Sequence, residues 1–223
     1  MGGAYMHQRD VFHAYMVEDA EFDGAFDMPL VKATQRIPKR LIPFSWAMNP
    51  KCREFDAFVH FYEDDWRFER FWNRPQRYID RLSEFAGAVS PDFSTCVDFP
   101  YAMRIWNTYR DRACGHWLQA RGLDVIPNVR CSRDTLPWSL DGLPQGGVIA
   151  LGARACMKKP DRRMLLLESA ELAVTSLNPT AVLWYGASSS EFETWLGVRG
   201  VPLYVCRGEG KGGLGGDIRV ERR

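Results

Sequence analysis

Short, nearly unbroken apolar runs alternating with amphipathic helical patterns are what most restrict the folds open to this chain. Seven such runs read as strands, at residues 41–46, 57–62, 94–99, 125–129, 147–152, 181–186 and 201–206. They lack the strict polar alternation of a half-exposed sheet, so both faces are expected to be covered. Between them lie the helical patterns. Residues 66–87 read as helix, with the main part starting at about 74 because Pro75 is tolerated only in a first turn. Residues 102–120 place Ala102, Trp106, Tyr109, Ala113, Trp117 and Ala120 on one stripe, which predicts the buried face. Residues 161–177 do the same with Leu166, Ala170, Ala173 and Leu177, and Asn178-Pro179 stops that helix; a short helix is expected over 190–196.

Strand–helix alternation of this kind predicts an α/β fold of mainly parallel strands, arranged as a shortened or incomplete (β/α) barrel. The alternative is an open doubly wound sheet. At 223 residues the chain is somewhat short for a complete barrel, which takes roughly 250. The expected organisation is an irregular N-terminal arm over 1–28, a single α/β domain over 29–207, and a Gly-rich flexible tail over 208–223. At this length the chain buries enough surface on folding to need neither disulfides nor a structural metal to hold a core.

No stretch reaches the roughly 18–20 apolar residues of a membrane span, and no apolar signal core precedes the domain. The six cysteines, at 52, 96, 114, 131, 156 and 206, form no Cys-x-x-Cys pair. Reduced thiols in a cytoplasmic protein, with no membrane partner, are the expectation. The sequence is silent on oligomeric state.

The formal charge of +1 conceals a gradient. Residues 54–98 hold ten acids and five arginines, a local balance of −5, whereas residues 100–163 hold eleven Lys or Arg and five acids, a balance of +6. Aromatics are interleaved with the second set. That composition suits a nucleotide or nucleic-acid surface, although charges of both signs also pair among themselves.

Parallel α/β folds collect ligands at the carboxyl ends of their strands. The residues following each expected strand are Glu63-Asp64-Asp65, Asp98, Asn128 with Arg130, Arg154, Tyr185-Gly186 and Arg207. Arg130 and Arg154, with Arg110 from the helix, have forks suited to a phosphate or carboxylate. Asn128 supplies a hydrogen-bond donor. Asp98 or Asp64 would then be the general base, or would hold Mg²⁺ through hard oxygen ligands. Helix capping for Glu63, Asp64 and Asp65 is the competing account, and for Arg130 an ion pair with Asp98 or Asp111.

Covalent hydrolase chemistry has no support: there is no Gly-x-Ser-x-Gly elbow and no Cys–His arrangement. His60 and His116 read as packing residues. Lys211 in the glycine-rich tail is followed by Gly212, not the Ser or Thr of a phosphate loop.

Several stretches resemble a bacterial and phage family, domain of unknown function family 4417, over roughly residues 91–186. They are Pro91-Asp92-Phe93-Ser94, Asp98-Phe99-Pro100, Ile105-Trp106-Asn107-Thr108-Tyr109-Arg110-Asp111-Arg112, Ile126-Pro127-Asn128-Val129-Arg130, Asp141-Gly142-Leu143-Pro144, Cys156-Met157-Lys158-Lys159 and Tyr185-Gly186. The family pattern carries Thr-His-Gly where this chain has Ala153-Arg154-Ala155, so no mechanism built on a histidine there transfers. The resemblance implies association with phages and mobile elements rather than a reaction. Together these observations predict a protein that binds a phosphorylated small molecule, nucleotide or nucleic acid at the strand ends, with metal-assisted phosphoester hydrolysis as the reaction such groups would suit. A non-catalytic protein–protein interaction module is the alternative.

Overall fold

Most apolar runs become strands and most periodic segments become helices. A computed structural model describes residues 10–154, 156–208 and 216–221. The chain opens with a 3-10 turn at Ala14–Val17 and a small hairpin of β1 (Phe22–Asp23) and β2 (Met28–Pro29). Then follow β3 (Arg40–Pro43), α1 (Phe44–Ala47), β4 (Phe58–His60), α2 (Asp65–Asn73), a 3-10 turn at Pro75–Arg77, α3 (Ile79–Leu82) and β5 (Gly87–Val89). The long α4 (Tyr101–Ala120) leads to β6 (Val125–Ile126), α5 (Leu136–Ser139), β7 (Val148–Gly152), α6 (Pro160–Leu177), β8 (Ala181–Tyr185), α7 (Ser190–Val198), β9 (Leu203–Cys206) and β10 (Gly216–Glu221).

Eight strands form one sheet in the order β6-β5-β4-β3-β10-β9-β8-β7. Neighbours within β3–β6 and within β7–β9 are parallel, and β10 is antiparallel to both β3 and β9. At the two ends of this order, Val129 N–H donates to Ala150 O and Ala150 N–H donates to Pro127 O, each at 2.9 Å.

The missing polar alternation has a direct cause. One face of the sheet contributes Leu41, Phe58, Val89, Ile126, Val148, Leu183 and Cys206, from all seven parallel strands, to a single apolar cluster. The other face packs against helices. Phe44, Phe61, Phe68, Phe71 and Trp117 cover one half, and Leu166, Ala170, Leu177, Trp184 and Phe192 the other. The stripe expected on α6 is buried as predicted, and Asn178, at φ 45°, ends that helix in the left-handed conformation.

Four expectations are corrected. Helix 66–87 is broken: its main part, α2, precedes Pro75, since residue Arg74 before the proline is held out of the helical region at φ −149°. Residues 94–99 are a partly exposed loop rather than a strand, and the strand is β5, Gly87–Val89. On α4 only Ala113 and Trp117 of the expected stripe are fully buried, and Trp106 is 42% exposed. The face turned inward instead carries Arg104, Asn107, Thr108, Asp111 and Arg112. Finally, residues 216–221 of the expected tail are strand β10; Lys211 and its neighbours over 209–215 lie outside the described residues.

The described part of the N-terminal arm packs onto the domain. Met16 is buried, Gly142 N–H donates to Asp23 Oδ2 at 3.1 Å, and Asp19 meets His116 at 3.1 Å. Residues 1–9 lie outside the description. Among the described residues no helix is long and apolar enough to cross a membrane, and no disulfide joins the six cysteines.

At Gly87, β4, β5 and the approach to β6 lie close together. A Cβ there would lie 2.4 Å from Phe58 Cζ and 2.5 Å from the Asp124 carbonyl oxygen. The backbone oxygen cannot swing aside, so Gly87→Ala is expected to cost about 1–3 kcal/mol by overpacking. Urea unfolding measures it; an unchanged midpoint would contradict this packing.

Candidate functional site

The carboxyl ends of β4, β5, β6 and β7 deliver polar side chains to one place. Asp92 follows β5 by three residues, Asn128 and Arg130 follow β6, and Tyr62 follows β4. Arg130 clamps Asp92 through Nε at 2.7 Å and a terminal nitrogen at 2.6 Å. Asn128 donates from Nδ2 to the same carboxylate at 2.9 Å and accepts from the Tyr62 hydroxyl at 3.1 Å. The Asn128 backbone N–H donates to Ser90 Oγ at 2.8 Å. Burial opposes the charge on Arg130, but the field of Asp92 and their hydrogen bonds together raise its pKa. Burial, then Asp92, pushes the Tyr62 hydroxyl well above its usual value, so it stays a donor.

Gly152, the last residue of β7, makes this proximity sterically feasible. A Cβ there would fall 2.5 Å from the Tyr62 ring and 2.9 Å from an Arg130 nitrogen.

Below this network lies the inward face of α4. Arg112, 1% exposed, donates to Asp111 Oδ2 (2.7 Å), Ser139 O (2.8 Å) and Asp141 O (3.1 Å), and approaches Asn128 O at 3.5 Å. Burial lifts the Asp111 pKa to about 7, against the pull of Arg112 and Ser90 and with a further push from Asp92. Asp111, Arg112, Asn128 and Arg130 line a cavity of about 10 Å³, the size of a single water.

Beside it, His60 is fully buried at the end of β4. Its Nδ1 accepts the Tyr62 N–H at 3.1 Å, which puts the proton on Nε2, and that buried donor has no partner. Burial, with Arg154 adding to it, lowers the His60 pKa to about 3. Its ring lies 4.3 Å from that of Tyr185, whose hydroxyl burial pushes up to about 12. Arg154, exposed after β7, donates to Tyr62 O at 3.2 Å and has no carboxylate within ion-pair distance among the described residues.

The residues predicted from sequence therefore divide. Asn128, Arg130 and Arg154 converge around Tyr62. Asp98 and Asp64 do not join them: both are exposed, Asp98 on the loop before α4 and Asp64 at the start of α2, 4.0 Å from Arg67. Arg110 faces away, holding both Glu69 oxygens at 2.8 and 2.9 Å and covering the Phe93 ring. Glu63 accepts the Ser45 N–H at the start of α1, and Asp65 takes the Ser94 N–H and hydroxyl. Sequence reasoning missed Asp92 and His60 as rim groups. Placing the third strand at 87–89 would have set Asp92 at its end. No cluster of three or more His, Cys, Asp or Glu suited to a metal occurs among the described residues. A larger groove of about 690 Å³ runs beside α6, lined by Arg133, Lys158, Arg163, Met164, Glu168 and Glu191.

This is an α/β protein whose parallel strands end in a hydrogen-bonded polar rim, the usual ligand position of that architecture. Residues 20–199 match the family described as Domain of unknown function (DUF4417), and the chain belongs to that family. It is similar to the Gene 1 protein of Mycobacterium phage L5, 33% identical over 172 residues, covering 74% of this chain and 73% of that protein. It is also similar to the Gene 1 protein of Mycobacterium phage D29, 32% identical over 168 residues, covering 73% of this chain and 61% of that one. The chain thus spans less than two thirds of the second relative's length. No solved structure matches it.

Proposed function

We propose that this phage-associated protein binds a small phosphorylated ligand at the strand-end rim, with Arg154 engaging the phosphate. One observation carries the reading: an exposed guanidinium without a carboxylate stands beside a buried His60 Nε2–H without an acceptor. A buried donor left unsatisfied costs about 1–3 kcal/mol, and an anionic oxygen would relieve that cost. Asn128 and Arg130 act as the wall of the site, because their polar ends are committed to Asp92 and Tyr62. Asp92 is equally committed, so the activity proposed is binding, not hydrolysis. The same reading takes the sheet as a shortened barrel, supported by the two hydrogen bonds between Pro127–Val129 and Ala150.

A thermal-shift titration with ATP, AMP and inorganic phosphate tests this. A ligand at 100 times its Kd stabilises the fold by about 2.7 kcal/mol. Arg154→Ala is expected to leave the unliganded melting temperature essentially unchanged and to abolish the shift. Absence of a shift with every phosphorylated probe, or a shift that survives Arg154→Ala, would favour the protein-interaction alternative.

A further inference from the structure

Much of the charge in both stretches of the sequence is paired within the fold. The basic stretch spends its arginines internally: Arg104 on Asp134, Arg110 on Glu69, Arg112 on Asp111, Arg130 on Asp92 and Arg133 on Glu168. The acidic stretch likewise spends its carboxylates. Glu54 is held by Arg40 and Trp46, Glu63 by Ser45, Asp65 by Ser94 and Glu84 by Arg81. Besides the exposed Asp56, Asp64, Asp80 and Asp98, what remains exposed there is four arginines between residues 67 and 77.

Arg67 and Arg70 lie three apart on α2, the spacing that keeps side chains on one helical face, and Arg74 and Arg77 follow at the break after the helix and in the 3-10 turn. They run along α2 and its following 3-10 turn, and all four are exposed. Among the described residues Arg70, Arg74 and Arg77 have no carboxylate within ion-pair distance, and Arg67 has only the loose 4.0 Å contact to exposed Asp64. Asp80 is the other exposed acid of this face. At the head of the row stands Trp66, 72% exposed, with the Arg67 guanidinium 4.7 Å from its ring centre.

We propose that α2 and the turn that follows it bind single-stranded nucleic acid, these four arginines contacting the phosphates and Trp66 stacking on an unpaired base. Guanidinium rows with an exposed aromatic are the elements of sequence-tolerant single-strand binding. A membrane surface is a poorer fit, because it needs a contiguous apolar face, and Phe68, Phe71 and Trp72 of α2 are buried in the core. This surface lies on the outside of the sheet's helical layer and does not depend on the rim ligand.

Fluorescence anisotropy with labelled (dT)20 and (rU)20 tests the proposal, and the two probes reveal which sugar is preferred; binding of either supports it. The triple variant Arg70→Gln/Arg74→Gln/Arg77→Gln is expected to weaken binding at least tenfold. It should also flatten the slope of log affinity against log salt by about 2, since each phosphate contact on a single strand contributes roughly 0.7. Trp66→Ala should weaken binding by roughly tenfold with the salt slope unchanged. Arg154→Ala, which removes the rim anion contact, should bind the oligonucleotides as the parent does. Because the substituted arginines are exposed, circular dichroism should be unaltered. The proposal falls if neither oligonucleotide binds at 50 mM salt, if the triple variant keeps the parent affinity and slope, or if only phosphatidylserine vesicles bind.

Discussion

Arg112→Met is expected to destabilise the protein by about 3–5 kcal/mol, the cost of removing one partner from a buried ion pair. Arg112 is 1% exposed, pairs with Asp111 beside it on α4, and ties that helix to the carbonyls of Ser139, the last residue of α5, and of Asp141 just after it. Methionine fills the stem volume and supplies no donor, so two carbonyls and a carboxylate lose their partner together. Asp111 is already close to neutrality, with a pKa of about 7, and without the guanidinium its proton is held more tightly. The penalty should therefore be larger at pH 8, where charging Asp111 costs most, than at pH 5. Urea unfolding of the parent and variant at both pH values measures this. A loss below 1 kcal/mol at pH 8 would show that Arg112 is not the tie the geometry describes.

The second large effect concerns pH. His60 has a folded pKa of about 3 against an ordinary 6.5, so between those values the unfolded chain binds a proton that the folded chain refuses. Its contribution to stability is present above 6.5 and is lost as pH falls, by about 3 kcal/mol between pH 7 and pH 4. Asp111 has the opposite sign. Its folded pKa of about 7 lies above the ordinary 3.8, so the folded chain binds the extra proton and that contribution is lost as pH rises from about 4 to 7. The two offset each other across the same window. His60→Gln keeps an acceptor for the Tyr62 N–H but does not titrate, and relative to the parent it should gain about 3 kcal/mol on going from pH 7 to pH 4. Asp111→Asn should lose stability on the same change. Parallel pH profiles for the parent and His60→Gln would mean that His60 is protonated normally in the fold.

The longer elements were legible because burial imposes a simple pattern on them. The runs at β7, β8 and β9 are apolar on both sides, and Leu166, Ala170, Ala173 and Leu177 step along α6 facing one partner layer. Shorter elements escaped. β5 has only three residues, Gly87-Ala88-Val89, directly after a helical pattern, whereas Thr95-Cys96-Val97 has strand-like residues but lies in a loop. On α4 the tertiary environment overrode periodicity: the helix turns arginine, aspartate and asparagine inward because the rim supplies partners, and leaves Trp106 partly outside. Of the rim, Asn128, Arg130 and Arg154 could be found by reading past each strand end. Asp92 could not while its strand was misplaced, and the Asp92–Arg130 pairing spans 38 residues that no local pattern connects.

The place of β10 also sets a temporal order. It is the last described strand in the chain, yet it sits between β3, the first strand of the sheet, and β9. A polypeptide emerging from the ribosome has made every described helix by Val198, but at that point β3 still has an unpaired edge. Synthesis at about 5–20 residues per second leaves that edge open for a second or more before residues 216–221 arrive. Unpaired edges are templates for association with other chains. The described sheet is therefore finished only when β10 arrives, and the vulnerable interval lasts until residues 216–221 have been made.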